Sequence, residues 1–169
     1  LLDQDLPAKL ERLFEREAMD PRALCIEITE SAIMDDPQRA LQTLQRLHAM
    51  GLRMAIDDFG TGYSSLAYLK RLPVHELKID KSFVLNMERD RADLKIVRST
   101  IDLAHNLGLS VVAEGVESAA AWHLLRALRC DEAQGYFMAK PMPQDAFAGW
   151  VAAWDAPGGR LDSGLAALL

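Results

Sequence analysis

Residues Met54 to Leu66 read MAIDDFGTGYSSL. An apolar run ends on two adjacent aspartates, Asp57 and Asp58. A turn containing Gly60 and Gly62 follows, then a short apolar segment. This is the order of a buried strand, a glycine turn and a helix over 64–71. The glycines permit positive φ and close approach of the backbone. Ser64 is placed to cap the helix. The two acids are either part of a metal site or the polar end of a strand.

The same unit recurs along the chain. Buried-strand patterns occupy LCIEITE (24–30), RMAIDD (53–58), ELKID (76–80), LSVVAEG (109–115) and EAQGYFM (132–138). Helical patterns separate them. Residues 36–50 carry Asp36 as N-cap, Pro37 at the first helical position, leucines at 41, 44 and 47, and Gly51 past the end. Residues 90–107 start at Asp90, put Leu94, Val97, Ile101 and Ala104 on one stripe and stop at Gly108. Residues 118–129 start at Ser118 and bury Trp122, Leu125 and Leu128. Residues 144–154 bury Phe147, Trp150 and Trp154. The chain opens on a helix-like segment, Leu6 to Glu17.

Alternating strands and helices predict a parallel sheet covered by helices. The options are an open doubly wound sheet and a (β/α)8 barrel. Each strand carries a polar residue near its C-terminal end: Glu27 and Glu30, Asp57 and Asp58, Lys78 and Asp80, Glu114, and Gln134. A barrel gathers such ends around one mouth, whereas an open sheet spreads them along a line. Period-two alternation puts Glu27 opposite Ile26 and Ile28, and Lys78 and Asp80 opposite Leu77 and Ile79. The polar set then faces the lumen. The count falls short, because a barrel needs eight strands and about 250 residues. The expectation is an α/β, TIM-like barrel that is incomplete, with about five of the eight strands.

Composition narrows the classes. The chain has 169 residues, is 50% hydrophobic and carries a net charge of −6. These values predict one soluble globular domain and argue against non-specific binding to DNA or RNA polymers. A phosphate substrate stays open if metal ions supply the positive charge. No run is long and apolar enough to span a bilayer, and the first residues do not read as a signal peptide. Cys25 and Cys130 lie far apart in apolar surroundings, which predicts buried free thiols in a reducing compartment.

Glu27, Asp57, Asp58 and Glu114 are carboxylates at the ends of three strands. Their oxygens suit Mg²⁺ or Mn²⁺, and adjacent aspartates can serve two ions. The alternative is that each caps a helix or pairs with an arginine. Lys78 in an apolar strand is costly unless paired. It is either an ion-pair partner of Asp80 or another aspartate, or a cation that orients water and stabilises phosphate charge. The glycine turn matches neither a dinucleotide fingerprint nor a P-loop. His48, His75, His105 and His123 have no ligand spacing and are read as non-catalytic.

These motifs resemble the second half of an EAL domain, the bacterial cyclic-di-GMP phosphodiesterase family. CIEITES resembles its E-x-T-E-S strand, AIDDFGTGYSSLAYL its most specific signature, ELKIDKSFV its K-I-D strand, VVAEGVE its A-E-G-V-E strand, and QGYFMAKPMP its closing segment. The order is the family's, and the resemblance covers about residues 5 to 155. It implies a TIM-like barrel that hydrolyses cyclic di-GMP to linear pGpG with two Mg²⁺ or Mn²⁺ ions. It implies Glu27, Asp57, Asp58 and Glu114 as metal ligands and Lys78 beside the catalytic water. It implies that Glu30 braces the loop after Asp58, a loop that in this family also links metal binding to dimerisation. Asp80, Glu117 and Gln134 would complete the surrounding and substrate contacts.

The family's E-A-L-x-R and N-x-S segments are absent from this sequence, and Glu17-Ala18-Met19 does not replace them. Residues 1–156 are therefore expected to be the C-terminal part of one EAL domain, followed by a frayed tail at 157–169. The segment by itself is expected to be inactive. The intact protein is expected to be a cytoplasmic homodimer in second-messenger signalling, with cyclic di-GMP as substrate and no membrane contact by this segment. A membrane anchor elsewhere in the parent protein is compatible with this expectation. The competing expectation is a degenerate EAL domain that binds cyclic di-GMP or a protein partner without catalysis.

Overall fold

The structure is a computed structural model and describes residues 3, 5–62 and 66–154. The elements run α1 (Leu6–Glu17), β1 (Cys25–Thr29), α2 (Glu30–Met34), α3 (Pro37–Ala49), β2 (Arg53–Phe59) and α4 (Leu66–Leu69). They continue β3 (Glu76–Ile79), α5 (Lys81–Asn86), α6 (Arg91–Asn106), β4 (Ser110–Glu114), α7 (Ala119–Ala127), β5 (Glu132–Gln134) and α8 (Gln144–Ala153). The five strands form one parallel sheet in the order β1-β2-β3-β4-β5. Each strand lies beside its predecessor, and the order never reverses. A doubly wound sheet has a switch point; this one is the arc of a barrel.

Register explains the two faces. Ile28, Ile56, Leu77 and Val111 are directly paired across four strands and form one apolar row. That row meets Leu44 and Leu47 of α3, Val97 and Ile101 of α6, and Leu125 of α7 in the buried core. Burying each such side chain stabilises the fold by about 1.5–3 kcal/mol. The alternate row runs Glu27, Ala55, Glu76 and Ser110, with Lys78 and Val112 paired one step further along. Charged side chains thus share the face opposite the helices.

The helix ends follow local chemistry. Asp36, Asp90 and Ser118 accept backbone N–H groups at the starts of α3, α6 and α7. Gly51 and Gly108 take positive φ after α3 and α6. Two short helices, α2 and α5, carry no long apolar period. Each begins at a cap: the Thr29 hydroxyl accepts from Ala32 N, and Asp80 accepts from Ser82 N. Glu30 therefore opens a helix rather than closing a strand.

Four expectations need correction. Cys25 is exposed, because β1 has a neighbour on one side only among the described residues; Cys130 is buried, and burial pushes its thiol up to about 12. β5 stops at Gln134, since Val116 N donates to Gln134 O and Phe137 N to Val116 O, folding the chain around Gly135. α8 buries none of its residues. Phe147 is exposed, while Trp150 and Trp154 are half-buried; they pack on each other, Trp150 also on Phe147 and Trp154 on Phe137. No described element covers the outer side of α8. Leu128 is likewise half-buried. Ser64 and the tail at 157–169 lie outside the described residues.

Candidate metal and phosphoryl-transfer site

The central strand β3 places Lys78 at the middle of the charged face, with its side chain 5% exposed. Its Nζ lies 2.6 Å from Glu114 Oε1 on β4, 2.8 Å from Glu27 Oε1 on β1 and 3.3 Å from Asp57 Oδ1 on β2. Burial works against its charge, but the hydrogen bonds to Glu114 and Glu27 outweigh this and raise its pKa above the ordinary lysine value. It is a fixed cation at neutral pH. Its partners are these three acids and not Asp80.

Asp57 and Asp58 are consecutive, so regular alternation would send them to opposite faces. The β2–β3 register shifts between Ile56 and Phe59, and Asp58 adopts φ 54°. This irregularity re-aims Asp58. Its carboxyl hydrogen-bonds that of Asp80 and feels the charges of Asp57 and Glu114. Burial first, then the charges of Asp57 and Asp80, hold Asp58 above the usual carboxylate range. Asp80 goes the other way: burial pushes it up, but hydrogen bonds from Ser82 outweigh that and lower it.

Glu30 is 2% exposed and faces the turn after Asp58. Its Oε2 accepts from Gly60 N at 3.0 Å and from Gly62 N at 3.3 Å. The Thr61 hydroxyl donates to Asp58 O at 2.9 Å. The buried Glu30 carboxyl group therefore has two backbone N–H partners, and the turn is held from below. Gln134 is in register with Glu114 but exposed, and Glu117 is exposed beyond β4. The histidines lie elsewhere: His75 Nδ1 accepts from Met54 N, His48 stacks on His75, and His105 pairs with Asp131.

On donor chemistry these residues fit a divalent cation. The donors are hard carboxylate oxygens. Asp57 Oδ1 is buried without a hydrogen bond, and the Asp58–Asp80 pair shows crowding of acids that one lysine leaves under-neutralised. Among the described residues no three His, Cys, Asp or Glu side chains close around one point. The Lys78 ammonium draws three of the acids toward itself.

Comparison with known proteins decides the family. The family model described as EAL domain matches residues 1–141. The chain belongs to the EAL domain family. Over 141 residues it is 50% identical to a protein of Azorhizobium caulinodans, covering 83% of this chain and 19% of that one. It is 45% identical over 137 residues to MucR of Pseudomonas aeruginosa, a bifunctional diguanylate cyclase/cyclic di-GMP phosphodiesterase, covering 81% of this chain and 20% of MucR. The chain thus spans about a fifth of the length of these curated relatives. The MucR phosphodiesterase structure, a cyclic-di-GMP complex, superimposes with a TM-score of 0.84 at 42% identity, over 86% of this chain and 59% of that one. A Klebsiella pneumoniae BlrP1 manganese/cyclic-di-GMP complex gives 0.76 at 30% identity, over 83% of this chain and 36% of that one. No helix among the described residues is long and apolar enough to cross a membrane.

Proposed function

We propose that the whole protein carrying this chain is a metal-dependent phosphodiesterase that hydrolyses cyclic di-GMP to linear pGpG, and that this chain supplies the carboxylate centre of the site. The observation that carries the reading is the convergence of Glu27, Asp57 and Glu114 on Lys78, with Asp58 re-aimed beside them. Relatives named as cyclic-di-GMP phosphodiesterases support it.

Glu27, Asp57, Asp58 and Glu114 would hold two Mg²⁺ or Mn²⁺ ions. When bound, the ions supply Lewis acidity to the phosphate and lower the pKa of water. The chain's own residues do the rest. Lys78, a fixed cation, donates hydrogen bonds toward a water and offsets charge developing on phosphate oxygens. Asp80 accepts from Ser82 and carries a hydrogen bond to Asp58, which sets the direction of that acid. Glu30 keeps the Gly60 turn closed, so that Asp57 and Asp58 hold their places. Gln134 and Glu117, exposed at the same strand ends, offer polar contacts to the dinucleotide. One water adds across one P–O bond; the ring opens and a terminal phosphate remains.

Residues 1–156 would belong to the C-terminal part of one EAL domain, working as a homodimer in the cytoplasm. A second reading, binding of cyclic di-GMP without cleavage, draws on the position of Lys78 among the acids and the lack of a three-acid cluster among the described residues. Chromatography of cyclic di-GMP incubated with the whole protein and Mg²⁺ or Mn²⁺ separates the two. Appearance of pGpG that is lost in Asp57→Asn supports hydrolysis. Binding without product supports the second reading, and full turnover by Asp57→Asn removes the metal assignment.

A further inference from the structure

We propose that α5 is a strut that fixes the distance between the Asp57/Asp58 pair and Glu114, with Phe83 and Lys81 as its positioning residues; the proposal rests on the metal-site reading above. The two carboxylate-bearing strand ends, β2 and β4, are each followed by a glycine, and both glycines abut this one helix. A Cβ on Gly60 would lie 3.0 Å from Phe83 Cε2. A Cβ on Gly115 would lie 2.6 Å from Lys81 Cβ and 3.2 Å from Lys81 Cα. Gly60 and Gly115 also have positive φ, 101° and 72°. Neither position accepts a side chain, so the backbone of the Gly60 turn rests on the Phe83 ring and that of the Gly115 turn on the helix at Lys81.

The helix itself is held. Asp80 caps its start through Ser82 N, and the same Asp80 bonds Asp58. Val84 is 1% exposed and anchors it in the core. Just beyond its end, Glu88 accepts a hydrogen bond from Ser118, the N-cap of α7. Glu30 holds the Gly60 turn from the side of α2, while the Phe83 ring closes the side of α5. Parallel strands β2 and β4 do not touch each other; β3 lies between them. Contact through α5 is therefore a second link between their ends, close to the charged atoms. A change at Phe83 moves the Gly60 turn without removing any metal ligand.

The test measures Mn²⁺ binding to the whole protein by the electron paramagnetic resonance signal of free Mn²⁺, alongside hydrolysis of cyclic di-GMP. Phe83→Leu keeps an apolar side chain but removes the flat ring against Gly60. Phe14→Leu is the matched control, since Phe14 is buried on α1, away from the strut. Phe83→Leu is expected to weaken Mn²⁺ binding about tenfold, the scale of a lost supporting contact, and Phe14→Leu to leave it unchanged while lowering the melting temperature. Should Phe83→Leu not fold, Phe83→Met, closer in volume, is read in its place. Wild-type Mn²⁺ affinity in the Phe83 variant, equal weakening in both variants, or no Mn²⁺ binding by the wild type overturns the proposal. A protein that loses Mn²⁺ through Phe83→Leu yet never cleaves cyclic di-GMP leaves the strut standing and sinks only the hydrolase reading.

Discussion

Replacing Lys78 with methionine tests the electrostatics of the site without touching a carboxylate. Methionine keeps the apolar stem and removes the ammonium. Three acids then lose their shared counter-ion: Glu27, Asp57 and Glu114, whose side chains are 51%, 23% and 20% exposed. Breaking a fully buried pair costs about 3–5 kcal/mol. Glu27 is half in water and regains hydration, and solvent screens part of the rest. The expected loss at pH 7 is therefore about 2–3 kcal/mol, below or at the floor of that range. With a urea slope of about 2 kcal/mol/M, the midpoint falls by about 1–1.5 M. Urea denaturation at pH 7 is the measurement, and the double variant Lys78→Met with Glu114→Gln is the comparison, since removing one of the acids left without a counter-ion returns part of the loss. A midpoint within about 0.3 M of wild type for Lys78→Met, or a double variant no more stable than Lys78→Met, would refute the account of Lys78 as the cluster's counter-charge.

Glu30→Ala leaves the Gly60 and Gly62 N–H groups without their buried acceptor; at about 1–3 kcal/mol for each unsatisfied group, chemical denaturation should show a loss of at least about 2 kcal/mol. Gly135→Ala puts a Cβ 2.1 Å from Val116 O, in a segment pinned by two backbone hydrogen bonds; a loss of about 3 kcal/mol or more is expected in the same assay, and a variant as stable as wild type contradicts the packing. His75 is held below its ordinary pKa by burial, then by the positive charge of His48 and Arg53. Its folded form resists protonation, so stability is full above the unfolded value of about 6.5 and declines as pH falls below it. His75→Asn, compared with wild type at pH 7.5 and pH 5.5, should flatten that decline.

How much of this was legible in the residues depends on the range of the interaction that decides each feature. Asp36, Asp90 and Ser118 announce their helices because a cap bonds to N–H groups two or three residues away. The alternation of Glu27 with Ile26 and Ile28, and of Lys78 with Leu77 and Ile79, shows the charged face because the strand period is local. The two short helices were less visible. Five or six residues hold no apolar period, although Thr29 and Asp80 carried the capping signal.

Sequence by itself thus determined the strand–helix repeat, the face on which the acids lie, and the motifs that place the chain in its family. Only the tertiary structure decided how those acids meet. The bulge that re-aims Asp58 arises from pairing with β3, a partner that local spacing does not name. Lys78 takes its partners from β1, β2 and β4 because those strands lie on either side of β3, and strand order is a property of the assembled sheet. Cys25 and Phe147 are apolar in pattern yet exposed, because burial depends on whether another element lies over them. Local spacing fixes which way a side chain points; the neighbours across space fix what it touches.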